Sequence, residues 1–283
     1  MVDPMRRRLL KAGAAVAAMA ATPSVLAQQS GSGESGRFYQ RGNVRIRYEE
    51  VGTGFPLLLI SGGGLSGSTI AGIRGGNPFN TIEAFKGEFR CIYADLRNSA
   101  GESTGPLDFD DPWNAHTDDQ LGLLNHLGVD RFLVMGFCIG NPLIWNIMKR
   151  APGRIVASVH AQPSGVDPKL PGFFIKNNLE KWAPGLLASR KDITQAMVDR
   201  YLAKMYGDVD FVLTVTRDFV RNCQTPLLAL PDDVPAHPYA TCMEMVRLAP
   251  NAQVSLYPWK DSKQNIALAV RHVRTFLRAN RPT

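Results

Sequence analysis

The run Gly136-Phe137-Cys138-Ile139-Gly140 is the segment of the 283-residue chain whose residue types and spacing are best suited to chemistry. It follows an apolar stretch at 131–136 (RFLVMG) and precedes a helical pattern from Asn141 to Arg150. That is the strand–turn–helix setting of a nucleophile elbow. Such a turn holds its central residue in strained dihedrals, and glycines on both sides let strand and helix approach without side-chain clash. The central side chain then projects at a helix N-terminus, where backbone N–H groups and the helix dipole favour an anion and lower a thiol's pKa. Cys138 is therefore a candidate nucleophile for an activated carbonyl. The plainer alternative is a buried cysteine at a glycine-lined turn.

The elements that would position this turn can be read from hydrophobic patterning. Residues 43–50 (NVRIRYEE) alternate apolar and polar, which predicts an edge strand. Continuous apolar runs at 56–60 (PLLLI), 89–94 (FRCIYA), 131–136, 155–159 (IVASV), 226–230 (PLLAL) and 253–257 (QVSLY) read as strands. Runs of this kind are buried on both faces of a parallel sheet. Helical spacing appears at 117–128, 141–150 and 264–279. The alternation of strands and helices implies an α/β fold with a mostly parallel, doubly wound sheet. The exception is 163–224, which has no buried strand run but has helix-like pieces such as 192–206. It is expected to be a helical cap over the C-terminal edge of a sheet built from 38–162 and 225–283.

With these segments in order, the chain resembles the α/β-hydrolase superfamily over about residues 38–280. Ser61-Gly62-Gly63-Gly64 sits where that superfamily has its oxyanion loop. Tyr93-Ala94-Asp95-Leu96-Arg97-Asn98-Ser99-Ala100-Gly101-Glu102-Ser103 is similar to its D-x-R-G-x-G-x-S loop, with one extra residue and Asn98 for a glycine. Leu230-Pro231-Asp232-Asp233 ends a strand where the superfamily carries its acid. The resemblance implies Asp233 as that acid, with Asp232 its neighbour. It also implies an oxyanion hole made by the N–H groups of Ile139 and Gly63, with Gly64 the alternative to Gly63. A cysteine at the elbow resembles dienelactone-hydrolase-like enzymes at that position alone.

One departure is sharp. The superfamily places its general base after the last strand, and here that loop, Pro258-Trp259-Lys260-Asp261-Ser262-Lys263, has no histidine. Of the five histidines, His272 falls inside the terminal helix and His126 on a helix remote from strand ends. His160 ends a strand and could line a pocket; His116 starts the helix before the elbow strand and could reach the cleft. His237 is the preferred base, in a loop stiffened by Pro235 and Pro238 four residues after Asp233. Lys260 is a second candidate, since a desolvated lysine can act as a base. The expected set is Cys138 as nucleophile, His237 as base and Asp233 as orienting acid. A histidine-activated thiol exists largely as thiolate, so a displaced base is tolerable.

The N-terminus reads as an export signal. Arg6-Arg7-Arg8-Leu9-Leu10-Lys11, an alanine-rich run to Ala21 and Val25-Leu26-Ala27 fit a twin-arginine-type signal peptide over 1–27. A polar Gly/Ser linker would follow over 28–37, and the mature protein would be periplasmic or secreted. Removing 1–27 would lower the net charge from +7 to +4. The remaining basic residues are scattered, so no nucleic-acid stripe is expected. Nor is stable membrane insertion expected once the signal is removed. Oligomeric state is not legible. The cysteines Cys91, Cys138, Cys223 and Cys242 show no C-x-x-C pair, so neither a zinc nor a redox motif is implied. Cys91 reads as a core residue, and a Cys223–Cys242 disulfide stays open. Gly62-Gly63-Gly64 lacks dinucleotide-binding spacing, and no cofactor or metal is implied. Phe173, Phe174, Trp182, Leu186 and Leu187 would give an apolar pocket for a small to medium molecule, or the packing of the cap itself. The expected activity is hydrolysis of a carboxylic ester, lactone or thioester through a Cys138 acyl-enzyme. The rivals are C–C bond hydrolysis and a non-catalytic binding protein on the same fold.

Overall fold

The computed structural model describes residues 36–282. The signal expected over 1–27 and nearly all of the linker expected over 28–37 lie outside the described residues. The linker's last residue, Arg37, already belongs to a strand.

Eight strands form one sheet: β1 (Arg37–Arg41), β2 (Val44–Val51), β3 (Pro56–Ile60), β4 (Arg90–Ala94), β5 (Phe132–Cys138), β6 (Ile155–Pro163), β7 (Leu227–Leu230) and β8 (Ala252–Val254). Their order is β1-β2-β4-β3-β5-β6-β7-β8. The β1/β2 and β2/β4 pairs are antiparallel, and the others are parallel. The alternating segment expected at an edge is thus β2, one strand in. A β1 strand that polar patterning did not reveal pairs with it as the edge. The eighth strand is shorter than the expected 253–257, and its last residue, Val254, is 41% exposed.

The core strands read as unbroken apolar runs because both faces are covered. On β3, Leu58 and Ile60 enter one buried cluster, while Leu57 and Leu59 enter the other. The first face is covered by α3 (Pro112–His126) and α4 (Gly140–Arg150), through Leu123, Leu143 and Trp145 among others. The second is covered by α2 (Thr81–Phe85) and α10 (Lys263–Asn280), through Phe85, Val273 and Phe276. A one-turn helix, α1 (Gly64–Gly67), follows β3.

Between β6 and β7 lie α5 (Phe173–Lys181), α6 (Ala183–Ser189), α7 (Gln195–Tyr206) and α8 (Arg217–Asn222). Between β7 and β8 lies α9 (Tyr239–Leu248). Trp182 fastens α5 and α6 to the loop after β4, its Nε1 donating to Asn98 O at 2.7 Å. That loop has its own anchor. Arg97 grips Asp119 of α3 through Nε and Nη2 at 2.8 and 2.6 Å, and both side chains are almost fully buried. Asn98 has φ 58°, in the left-handed region that asparagine tolerates.

The carboxyl ends of β3, β5, β6 and β7 lie side by side. Loops leaving four adjacent parallel strands at one edge are where an open α/β sheet can build a site.

Candidate active site

Cys138 ends β5 with φ 51°, and Ile139 caps α4. The turn needs its glycines. A Cβ on Gly136 would meet the Gly140 backbone at 2.9 Å, and a Cβ on Gly140 would meet the Ile60 side chain at 3.2 Å. Asn141 fixes the bend from inside, its Nδ2 donating to Cys138 O at 3.1 Å and Ala161 O at 3.0 Å. The strained dihedrals expected for an elbow are therefore present at Cys138.

The thiol faces a cavity of about 580 Å³. Gly62, Gly63 and Gly64 line it from the β3 loop, Ile139 from α4, Gln162 and Ser164 from the end of β6, and His237 from the β7 loop. Ser164 Oγ donates to Sγ at 3.4 Å. The Gly63 N–H also approaches the sulfur. Gly63 is held with φ 93°, where a Cβ would run into the Gly67 backbone at 2.8 Å. Both candidate oxyanion positions, Gly63 and Gly64, and the third, Ile139, thus border the cavity that holds Sγ.

His237 faces Sγ through Nε2, a buried atom with no other partner among the described residues. The imidazole and the sulfur are close enough to act on each other's protonation. The other ring nitrogen, Nδ1, lies 3.1 Å from Asp232 Oδ2. Burial alone would push the Cys138 thiol up. The His237 imidazole, the Ser164 hydroxyl and the Gly63 N–H outweigh it and pull the thiol down from 9.0 to about 7. Burial would likewise lower the His237 pKa, but Cys138 and Asp232 more than compensate and raise it. The two shifts favour a thiolate beside an imidazolium.

The acid is not the one expected. Asp233 is exposed, and its Oδ1 accepts from Tyr239 N at 3.4 Å. Asp232 is 4% exposed and takes the histidine. Consecutive residues leaving a strand point to opposite sides, so only one of the pair can turn inward. Asp232 also accepts from Gln162 Nε2 at 2.8 Å, and Lys260 Nζ lies 2.7 Å from its carboxylate. Burial would raise its pKa; Lys260, then Gln162 and His237, lower it overall.

The other candidate bases fall away. His116 is buried, with Nε2 2.7 Å from Tyr201 Oη, and burial pushes its pKa down to about 3. His160 is buried against Trp145 with Nε2 3.0 Å from Ser158 Oγ, and burial lowers it to about 3 as well. Neither reaches the cavity. Lys260 meets Asp232 instead of Sγ. His126 packs near Tyr39 and Tyr48, and His272 contacts Ser255.

From α5, Phe173 and Phe174 line the cavity, but Trp182 and Leu186 do not; both are buried, and Leu187 packs against the same cluster. Tyr206 and Leu213 take their place at the wall. Tyr206 stacks on Phe174, with ring centroids 5.3 Å apart. All four cysteines are free, so no Cys223–Cys242 bond is present. Cys91 and Cys242 are pushed up to about 12 by burial.

Solved structures share the fold. A meta-cleavage product hydrolase from Pseudomonas fluorescens IP01 superposes with TM-score 0.65 at 18% identity, over 87% of this chain and 98% of that one. The chain has the α/β-hydrolase fold. Similar likeness extends to an enol-lactonase from Burkholderia xenovorans LB400 (TM-score 0.61, 16% identity, 86% of this chain and 100% of that one). It extends also to the esterase RhEst1 from Rhodococcus sp. ECU1013 (TM-score 0.59, 18% identity, 86% and 98%). At these identities the likeness carries the fold alone. No family model and no curated protein matches the chain.

Within the α/β-hydrolase fold, this chain's histidine and acid come from one loop, the one after β7. Ser164 and Gln162 had no sequence signal, since a polar residue just beyond a strand is ordinary. Asp232 had one: the residue adjoining the last buried strand position, Leu230-Pro231, is the more enclosed of the two acids.

Proposed function

We propose that this protein is a hydrolase of activated carbonyl compounds, a carboxylic ester, lactone or thioester of small to medium apolar character, working through a Cys138 acyl-enzyme. The observation that carries this reading is one chain of contacts, from Sγ of Cys138 to His237 and from His237 Nδ1 to the buried Asp232. The enol-lactonase and esterase among the similar structures are consistent with it.

The steps follow from the placement. The Cys138 thiolate attacks the carbonyl carbon, forming a C–S bond and placing negative charge on the carbonyl oxygen. The N–H groups of Ile139 and Gly63 or Gly64 receive that charge. Losing one such donor typically costs about 3–4 kcal/mol of barrier. The carbon–oxygen (or carbon–sulfur) bond to the leaving group breaks, and the leaving group takes the Nε2 proton of His237. Water then gives a proton to Nε2 and attacks the thioester. The acid departs and the thiolate is restored. Asp232 orients the ring throughout by holding Nδ1–H. Phe173, Phe174, Tyr206 and Leu213 offer apolar wall to the substrate.

The test is hydrolysis of short-chain p-nitrophenyl esters by the purified protein and its Cys138→Ala variant. Turnover by the wild type that disappears in the variant supports the reading; equal turnover by both removes Cys138 from it. No turnover by either, with a slowly alkylated Cys138, favours a binding protein on this fold.

A further inference from the structure

The loop after β8 carries no base, yet it is tied to the site by two consecutive side chains. Trp259 Nε1 donates to Pro231 O at 2.8 Å, and Lys260 Nζ lies 2.7 Å from the Asp232 carboxylate. Trp259 is fully buried and packs edge-on to Phe79. The residue beside the ammonium is therefore fixed in the core, and so is the peptide from which Lys260 extends. Pro231 and Asp232, the receiving pair, are likewise consecutive. The brace is a two-rung ladder between the β7 and β8 loops, with one rung neutral and one charged.

We propose that Lys260 is a positioning residue, whose ammonium holds Asp232 ionised and in place for His237 Nδ1–H and shares its charge so that His237 can give up its proton to a leaving group. The proposal rests on Cys138, His237 and Asp232 being one reacting set. A buried carboxylate bonded to a single imidazolium would stabilise that imidazolium strongly, because opposite charges in contact favour both charged forms. Such a proton is poorly matched to a leaving group. A second cation on the same carboxylate moderates the pull on His237, while the three donors, Lys260, Gln162 and His237, occupy acceptor positions a carboxylate has to spare.

Among the described residues, Lys181 at the end of α5 also borders the cavity that holds Cys138 and His237. Cys138 faces His237 from β5. Asp233 follows Asp232 but turns to Tyr239 N. The exposed Tyr257 phenol stands near both aspartates from the β8 loop, and Tyr206 stands near Cys138 from α7. Gln162 and Ser164, from β6, are neutral. Among the described residues, Lys260 is the cation that meets Asp232 besides His237.

The experiment uses the purified protein with Lys260→Met, Lys260→Arg and Lys260→Gln, the last serving where methionine does not fold. His237 titration is followed by NMR of labelled imidazole nitrogens, and kcat and KM are measured on p-nitrophenyl butyrate. Loss of the ammonium should raise the His237 pKa by about one unit. It should lower kcat roughly tenfold with little change in KM, and arginine should restore most of both. A His237 titration and kcat unchanged in Lys260→Met or Lys260→Gln overturns the proposal. So does a kcat loss in those variants without any His237 shift. If the wild type hydrolyses no ester but His237 still shifts when the ammonium is removed, the role of Lys260 stands and the hydrolase reading fails.

Discussion

His237 Nδ1 sits 3.1 Å from Asp232 Oδ2, five residues before it in the same loop, while the adjacent Asp233 turns to the surface. This contact separates two otherwise similar carboxylates. Asp232→Asn would leave the ring held in the wrong tautomer, and kcat on an ester should fall by about 10³-fold or more, by analogy with the acid of a serine triad. Asp233→Asn should stay within about twofold of wild type, in line with exposed substitutions generally. Steady-state kinetics on the two single variants checks this. Equal loss in both would mean that the loop rearranges when it works.

The pH dependence of thiol reactivity follows from the Cys138 shift. The folded-state value is depressed from 9.0 to about 7, so thiolate is present above pH 7 and is lost as pH falls through it. Alkylation of Cys138 by iodoacetamide, read by peptide mass spectrometry, should reach half its plateau rate near that pH. In His237→Ala the largest opposing influence is gone and burial dominates. The midpoint should move above the ordinary thiol value, and the rate at pH 7 should drop roughly a hundredfold. Cys91 and Cys242, both raised to about 12 by burial, should stay unlabelled in folded protein.

Arg97 and Asp119 form a buried, two-pronged ion pair that fastens the loop after β4 to α3. Removing Arg97 leaves the buried Asp119 carboxylate only the half-exposed Arg41 Nη2, 3.8 Å away, as a counter-charge. Arg97→Met should therefore destabilise the protein by about 3–5 kcal/mol, measured by urea unfolding. A loss under 1 kcal/mol would show that water reaches the vacated carboxylate.

The turn at Cys138 can be strained further by one methyl group. A Cβ on Gly136 would come within 2.9 Å of the Gly140 backbone, where neither strand nor helix can give way cheaply. Gly136→Ala should cost about 1–3 kcal/mol of stability. It should also reduce Cys138 alkylation, since the displaced helix N-terminus carries the Ile139 N–H. Unchanged melting and labelling would show that the turn has slack.

Much of the fold was legible because burial on both sides of a parallel sheet writes itself as unbroken apolar runs, as at 56–60 and 226–230. β1 was not legible: its RFYQR sequence is polar and half exposed, and pairing with β2 supplies what patterning lacks. Cys138 was legible for a local reason, glycines at fixed offsets in a strand–turn–helix. Motif alignment points to Asp233 instead of Asp232 because it does not say which neighbour turns inward. His116 and His160 looked available because strand and helix ends usually face solvent, yet Tyr201 from α7 and Trp145 from α4 close over them. The place of Lys260 depends on two loops 28 residues apart in sequence, and nothing local encodes it.

In the proposed reaction the Cys138 thiolate carries the acyl group. Rapid mixing with p-nitrophenyl acetate, acid quenching and peptide mass spectrometry measures this directly. Cys138 catalysis predicts a burst of p-nitrophenolate matched by one acetyl group on the Cys138 peptide, both absent in Cys138→Ala. An acetyl group on Ser164 or elsewhere, or turnover that survives in Cys138→Ala, would contradict it.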